Sequence, residues 1–470
     1  MYLVFICLFN NVEYIKLLYL LLESIFIFGN LGETTKILIY TSTEFMRLIK
    51  NSHLYNPCLI IFETNDTYNN VTLACKARLD LFELETVKYY KTILYLDSDV
   101  LVKGDLAPIF KIAELGQEVI YAIEEGNFDD SNHFADFYGL SLFGHRDIEK
   151  FKGMSAFSSG VMLFKNCQTI KDLFKIIKQD IRNRPREFAC HDQPYIVHNA
   201  FKTGLYDNTA IKPYAVNNDL NIYSDKVIHH FPGNTGIHYN KQVEMVQFLN
   251  GAKEFTIQKY INTCKTFMEE HLIPIIRNIG EPLEGNIFME HNTLNYYRPY
   301  ENKVRNICNI VLNKNITNVL EIGFGSGFSA LLMLISNSAL RITCVDLAEH
   351  KYVQPCYQKI KETFGDRIHL IIGDSTQVLP QTVGSFDLIH IDGSSHIENV
   401  RSDVKNSFRL SKKGTILILD DYDFQHLHSL WDRYVQKFRL KNLNIYLSET
   451  DLHSIKYVIN QRSRVSANQT

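Results

Sequence analysis

The chain has 470 residues, of which 46% are hydrophobic and 21% charged, and its formal net charge is −3. That length exceeds one ordinary domain, and the composition is that of a globular chain rather than a disordered or collagen-like one. A nearly balanced charge excludes a global electrostatic pull toward nucleic acid or an anionic membrane, so any partner has to be argued from a local site.

Nine widely spaced cysteines, with no C-x-x-C pair, speak against a disulfide scaffold or a zinc ribbon and for a reducing, cytoplasmic setting. The apolar segments MYLVFICLF and YIKLLYLLLESIFIFG open the chain, but Asn10, Asn11, Glu13, Lys16 and Glu23 interrupt them. No unbroken run reaches the ~18–20 residues that a spanning helix needs. The expectation is a buried strand followed by a core helix, and no membrane partner.

In chain order, YLVFICLF, KILIYTS, CLIIFET, TILYLDSDVLV and EVIYAIEE read as strands separated by segments with helical periodicity, with SGVMLFKN as one more strand. Such alternation predicts a mainly parallel sheet covered on both faces. Residues 254–280 read as helical. From residue 300 onward NVLEIGF, RITCVDL, IHLIIGD, FDLIHIDG and TILILDD give five apolar strands, each followed by a helix or loop, the rhythm of a doubly wound sheet. The expected organisation is 1–250, a helical linker or cap at 251–300, a second domain at 301–460 and a polar, frayed tail at 461–470.

The sharpest motif is Asp97-Ser98-Asp99 at the end of an apolar strand. In extended chain, carboxylates two residues apart point to the same side. At a buried strand end they need a partner, and a hard divalent cation with a diphosphate is a suitable one. The stretch from Arg78-Leu79-Asp80 through Tyr95-Leu96-Asp97-Ser98-Asp99 to Gly104-Asp105-Leu106 resembles family 8 (glycogenin-like) glycosyltransferases. Further motifs keep the family's order. Asn11-Val12-Glu13-Tyr14 resembles its N-D-x-Y, Ser158-Ser159-Gly160-Val161 its N-S-G-V, Asp192-Gln193 its D-Q pair, and His230-Phe231-Pro232-Gly233 its H-F-x-G.

The resemblance implies a GT-A nucleotide-sugar-binding fold, a UDP-sugar donor, Mn²⁺ or Mg²⁺, and retention at the anomeric carbon. It places Asp97, Asp99 and His230 on the cation, Asn11 and Tyr14 at the uracil, and Arg78 at the diphosphate. Ser159, Gly160, Asp192 and Gln193 would line the sugar site. A fixed cation and an arginine suit a departing diphosphate, because they stand where negative charge develops. For Asp192 three roles stay open: orienting the sugar, steadying the oxocarbenium-like centre, or attacking it. Two departures stand out. Ser158 replaces the family's Asn, and the usual K-P-W gives way to Asn234-Thr235-Gly236-Ile237-His238, with Lys241 as a substitute phosphate contact.

In the second half, Glu321-Ile322-Gly323-Phe324-Gly325-Ser326-Gly327 reads E-x-G-x-G-x-G at a strand-to-helix turn, which resembles class I S-adenosylmethionine-dependent methyltransferases. The resemblance assigns Glu321, Gly323, Gly325, Gly327, Asp346 and Asp374 to the methyl donor, in a Rossmann-like fold. Asp392-Gly393-Ser394 followed by His396, paired with Asp420-Asp421, is similar to Mg²⁺-dependent sugar and catechol O-methyltransferases. It implies a second metal on Asp392, Asp420 and Asp421, and His396 as general base; His390, inside an apolar strand, reads as core. The combined expectation is a bifunctional enzyme that transfers a hexose and O-methylates a hydroxyl on the same glycan. Its alternatives are two independent enzymes on one chain, or a glycan-binding scaffold with one inactive site.

Overall fold

A computed structural model describes residues 1–129, 136–233, 240–290, 292–420, 422, 424–438, 440–442 and 456–459. The tail expected at 461–470 and the segment 234–239 lie outside the described residues. The chain divides into two compact units, Met1–Ala252 and Lys253–Thr470.

The first unit carries strands β1 (Tyr2–Leu8), β2 (Thr35–Thr41), β3 (Ile60–Thr64), β4 (Thr92–Leu96), β5 (Val100–Val102), β6 (Ile120–Asn127), β7 (Ser155–Lys165), β8 (Tyr206–Asp207), β9 (Ala215–Asn217) and β10 (Ile228–His230). Seven of them form one sheet in the order β3-β2-β1-β4-β7-β6-β8. The first four are parallel, whereas β7 runs antiparallel to both β4 and β6. Four of the six pairings, including that of β6 with β8, are parallel, so the sheet is mainly parallel as expected, with β7 as its antiparallel member. Alternation along β1 sends Val4, Ile6 and Leu8 to one core and Leu3 and Phe5 to the other, which is why this strand reads as an unbroken apolar run.

The apolar helix after β1, Glu13–Phe28, buries Leu18, Leu21, Leu22 and Ile25 in the first of these cores. Its Ser24 Oγ accepts the Val102 N–H at 2.9 Å and stitches the helix to β5. Among the described residues no helix is long and apolar enough to cross a membrane.

The stretch TILYLDSDVLV, which reads as one strand, is two. β4 belongs to the large sheet and β5 to a small second sheet ordered β5-β10-β9. Asp97 and Asp99 sit in the turn where the chain passes from one sheet to the other.

The helix Lys241–Phe267 runs through a π-helical turn, Met268–Leu272, into Ile273–Ile279. The second unit then forms β11 (Asn318–Ile322), β12 (Arg341–Asp346), β13 (Ile368–Ile372), β14 (Phe386–Ile391), β15 (Ser411–Leu419), β16 (Lys441–Asn442) and β17 (Lys456–Ile459). The order is β13-β12-β11-β14-β15-β17-β16, the five strands expected from sequence being parallel and β17 antiparallel to β15. The order reverses between β11 and β14, and the crevice at such a switch point is where open α/β sheets bind ligands.

One buried charge tests the packing of this unit. Asp403, on the helix Ile397–Leu410, is 1% exposed. Burial raises its carboxyl to about 6, with a Ser375 hydrogen bond opposing and Asp374 adding. The folded state therefore favours the protonated form. The stability this contributes is complete below the unfolded value near 3.8 and is lost as pH rises through about 6. Asp403→Asn is expected to stabilise the protein at pH 8 by about 1–3 kcal/mol and to remove the fall in stability that Asp403 imposes as pH rises from its unfolded value through about 6. Urea melts at pH 4.5 and pH 8 check this; a variant less stable than the parent at pH 8 rejects it.

Candidate active sites

In the first unit the Asp97–Asp99 turn is pinned from both sides. Asp97 N–H donates to Gly160 O at 2.8 Å, and Phe231 N–H donates to Asp99 O at 2.9 Å. The antiparallel pairing of β10 with β5 sets His230 opposite Val100, beside Asp99. His230 Nδ1 lies 2.8 Å from Asn217 Oδ1 on β9, which directs Nε2 to within 3.6 Å of Asp99 Oδ1. A neighbour on one ring nitrogen orients the other as a ligand.

Gly160 is a requirement of this packing: a Cβ there would lie 2.4 Å from the His230 ring and 3.1 Å from Asp97 Oδ2. Ligand atoms of Asp97, Asp99 and His230 all lie within 4.8 Å of one another. Asp99 Oδ1 is buried and makes no hydrogen bond among the described residues. Two carboxylates and an imidazole, with one oxygen unsatisfied, fit a divalent cation.

Arg78 ties this turn to Asp192. Its Nε and Nη2 donate to the two Asp192 oxygens at 2.7 and 2.6 Å, while Nη1 donates to Ser159 O at 2.9 Å and reaches Asp97 Oδ1 at 3.5 Å. Burial opposes the guanidinium charge, but Asp192 outweighs it and holds Arg78 firmly protonated. Burial also lifts the Asp97 carboxyl above its ordinary value, with Arg78 opposing and Asp99 adding. Asp99 goes the other way: against burial, His230 and Lys241 hold it well below the usual carboxylate range.

Gln193 Oε1 accepts both the backbone N–H and the hydroxyl of Ser159, at 2.9 and 3.0 Å. All these groups line one cavity of about 630 Å³, with Ser158, Glu125, Cys75 and Cys190. Lys241, at the start of its helix and with a side chain 21% exposed, pairs with Asp99.

In the second unit the glycine turn follows β11. Gly323 has φ +92°, and a Cβ there would fall 2.1 Å from the Asp392 carbonyl oxygen. The two strand ends therefore touch through backbone alone. Asp346, at the end of β12, accepts the Phe324 and Gly325 N–H groups at 2.7 and 2.9 Å and so shapes the turn. Asp374 caps the helix Ser375–Gln381 by accepting the Thr376 N–H at 2.8 Å. Gly323, Gly325, Asp346, Asp374, Asp392 and the exposed His396 line a cavity of about 620 Å³.

Other expected donor residues lie behind that cavity. Glu321 is fully buried, accepting the Ser329 hydroxyl at 2.6 Å and the Cys344 thiol at 3.4 Å and facing His390 Nδ1 at 3.1 Å. Gly327 begins the helix Phe328–Ser336 and is also absent from the lining. His390 is core, as expected, but it spans two carboxylates, its Nε2 lying 3.7 Å from Asp420 Oδ2. Burial works against its charge, yet Asp420 and Glu321 raise it to about 10.

His390, Asp392 and Asp420 offer ligand atoms within 4.8 Å of one another. Asp420, however, is 2% exposed, does not line the cavity, and carries the ammonium of the buried Lys303. A divalent cation on Asp392 and Asp420 does not fit this arrangement without displacing Lys303. Asp421, the third expected ligand, lies outside the described residues.

Residues 35–241 match the model of the family "Glycosyl transferase family 8", and residues 320–422 match that of "Methyltransferase domain". The chain joins a family 8 glycosyltransferase region to a methyltransferase domain. Both matched models are of transferase families. The first unit is accordingly GT-A-like and the second Rossmann-like.

Similar solved structures include a bifunctional glycosyltransferase, WbbM, at 14% identity and TM-score 0.39, covering 52% of this chain and 49% of that one. The chain thus spans about half the length of that structure. Mouse xyloside xylosyltransferase 1 is 13% identical, with TM-score 0.37, and 50% and 99% covered. An O-methyltransferase from Bacillus cereus in complex with SAH is 17% identical, with TM-score 0.32, and 43% and 99% covered. No curated protein matches.

In the glycosyltransferase region the geometry gathers Arg78, Asp97, Asp99, Ser159, Gly160, Asp192, Gln193 and His230 on one cavity. It leaves out Asn11, whose side chain accepts the Glu13 N–H at the start of a helix, and Tyr14, which is 39% exposed. The Arg78 fork, expected at a diphosphate, is spent on Asp192, Ser159 and Asp97. Sequence reading missed Glu125 and Lys303, which carry no motif; it missed Asn217 because only strand pairing brings it to His230.

Gly160→Ala is expected to push the His230 ring away and weaken divalent binding by about tenfold or more. Mn²⁺ titration followed by electron paramagnetic resonance reads this; parental affinity in a variant with the parental melting temperature rejects it.

Proposed function

We propose that the glycosyltransferase region transfers a hexose from a UDP-sugar to a glycan or glycosylated acceptor with retention. The methyltransferase domain then O-methylates a hydroxyl of the same glycan from S-adenosylmethionine. The observation that carries the reading is the convergence of Asp97, Asp99, His230 and the Arg78–Asp192 clamp on one cavity, within the segment that matches family 8.

Asp97, Asp99 and His230 would hold Mn²⁺ or Mg²⁺. That ion would offset the charge of the leaving diphosphate. Asp192, held in one orientation by the bidentate Arg78, presents a fixed carboxylate to the sugar. Gln193 and Ser159, bonded to each other, shape the wall beside it. Asn11 and Tyr14 are assigned to the uracil, and Lys241 to a phosphate.

In the methyltransferase domain, Gly323 and Gly325 let the donor lie against backbone, and Asp346 keeps their turn in shape. Asp374, at the end of the neighbouring strand, is assigned to the adenosine side. His396, exposed on the cavity wall, is the group placed to take the acceptor hydroxyl's proton.

The test is a set of UDP-sugars with Mn²⁺, read by UDP release and by mass spectrometry of the products. Turnover is expected to stop in excess EDTA and to fall about a hundredfold or more in Asp97→Asn, with S-adenosylmethionine binding unchanged. One product should carry both a hexose and a methyl mass; equal methylation without the sugar donor rejects the coupling. Gly325→Val, which puts a branched side chain into the second cavity, is expected to abolish S-adenosylmethionine binding by calorimetry. Parental affinity in the folded variant rejects that site.

A further inference from the structure

We propose that Lys303 stands in for a divalent cation at the carboxylate cluster of the methyltransferase domain, so that this half works without a metal of its own. The proposal rests on the methyl-donor reading of the cavity in front of it.

Lys303 lies on the helix Glu301–Val311, ahead of the first strand of the domain, and is 4% exposed. Its Nζ pairs with Asp420 Oδ2, at the end of β15. The same Asp420 oxygen faces His390 Nε2 at 3.7 Å, and the other nitrogen of that ring faces Glu321 Oε1 at 3.1 Å. Lys303, Asp420, His390 and Glu321 thus form a continuous buried row beneath the crevice between β11 and β14. Asp392, the one acidic member of the cluster that reaches the cavity, stands in front of this row.

A cation on Asp392 and Asp420 would have to share Asp420 with a buried ammonium. Like charges at such a distance in a poorly solvated site repel strongly. The lysine has no ready exit, being enclosed and packed with its Nζ 5.4 Å from the centre of the Tyr300 ring. The contrast with the first unit is physical. There the lysine on Asp99 is partly exposed at a helix start, and both aspartates open onto a cavity. That ammonium can yield to an incoming ion; the one on Asp420 is part of the core. Lys303 is therefore a positioning residue: it fixes Asp420, and through it the end of β15 beside Asp392.

The experiment counts bound Mn²⁺ by electron paramagnetic resonance on the full chain carrying Asp97→Asn and Asp99→Asn, which removes the first cation site. No bound ion is expected. An ion that is bound there and lost on adding Asp420→Asn overturns the proposal. Adding Lys303→Met to the same chain should free Asp420 and create a site for about one Mn²⁺ per chain, which Asp392→Asn abolishes again. A folded Lys303→Met chain that binds none also overturns it, since the lysine would then not be what excludes the ion. Calorimetry with S-adenosylmethionine in EDTA separates this reading from the one it rests on. No heat there overturns the methyl-donor assignment, whereas heat that returns only with Mn²⁺ overturns the role of Lys303.

Discussion

Acidic side chains gathered away from water repel one another unless the chain supplies opposite charge at the same depth. In the first unit the Arg78 guanidinium does this. Its planar fork takes both oxygens of Asp192 and leaves one amino group for Ser159 O and Asp97. Without it, Asp192 would be a fully buried carboxylate lacking its bidentate partner, and Asp97 would face Asp99 with less to offset the repulsion. A lysine could not do the same, because a point charge cannot serve a planar carboxylate and two further acceptors at once. One side chain thus fixes the position of Asp192 and opposes the burial that raises the Asp97 carboxyl.

The second unit meets the same difficulty differently. Its buried row alternates sign: Glu321, His390, Asp420, Lys303. The ends of β11, β14 and β15 contribute one member each, and the helix before β11 contributes the last. The two halves of the chain share no motif, yet both place a buried cation behind acidic groups that line a cavity.

Much of this was legible beforehand because it is local. The apolar runs became strands, and the motif residues from Arg78 to His230 met on one cavity. Asp97-Ser98-Asp99 was legible as a pair but not as a turn between two sheets, since nothing in LDSDVLV announces that its second half pairs with Ile228–His230. Glu321 reads as a donor ligand from its place before the glycines, but the strand's alternation turns it inward, onto Ser329, Cys344 and His390. Lys303 looks like one more helix-surface lysine; only its ion pair with the distant Asp420, just past β15, shows it to be a buried partner. What escaped was whatever depended on pairing between distant segments.

The pinned Asp97–Asp99 turn has a consequence for which ion the proposed site would accept. Its amide on one side and its carbonyl on the other are committed to different sheets, so the backbone that carries the two carboxylates has little room to shift with an ion. A cradle whose ligand spacing is set in advance discriminates by ionic radius. Small ions that insist on an octahedral shell and larger ions that tolerate irregular ones will not be held alike.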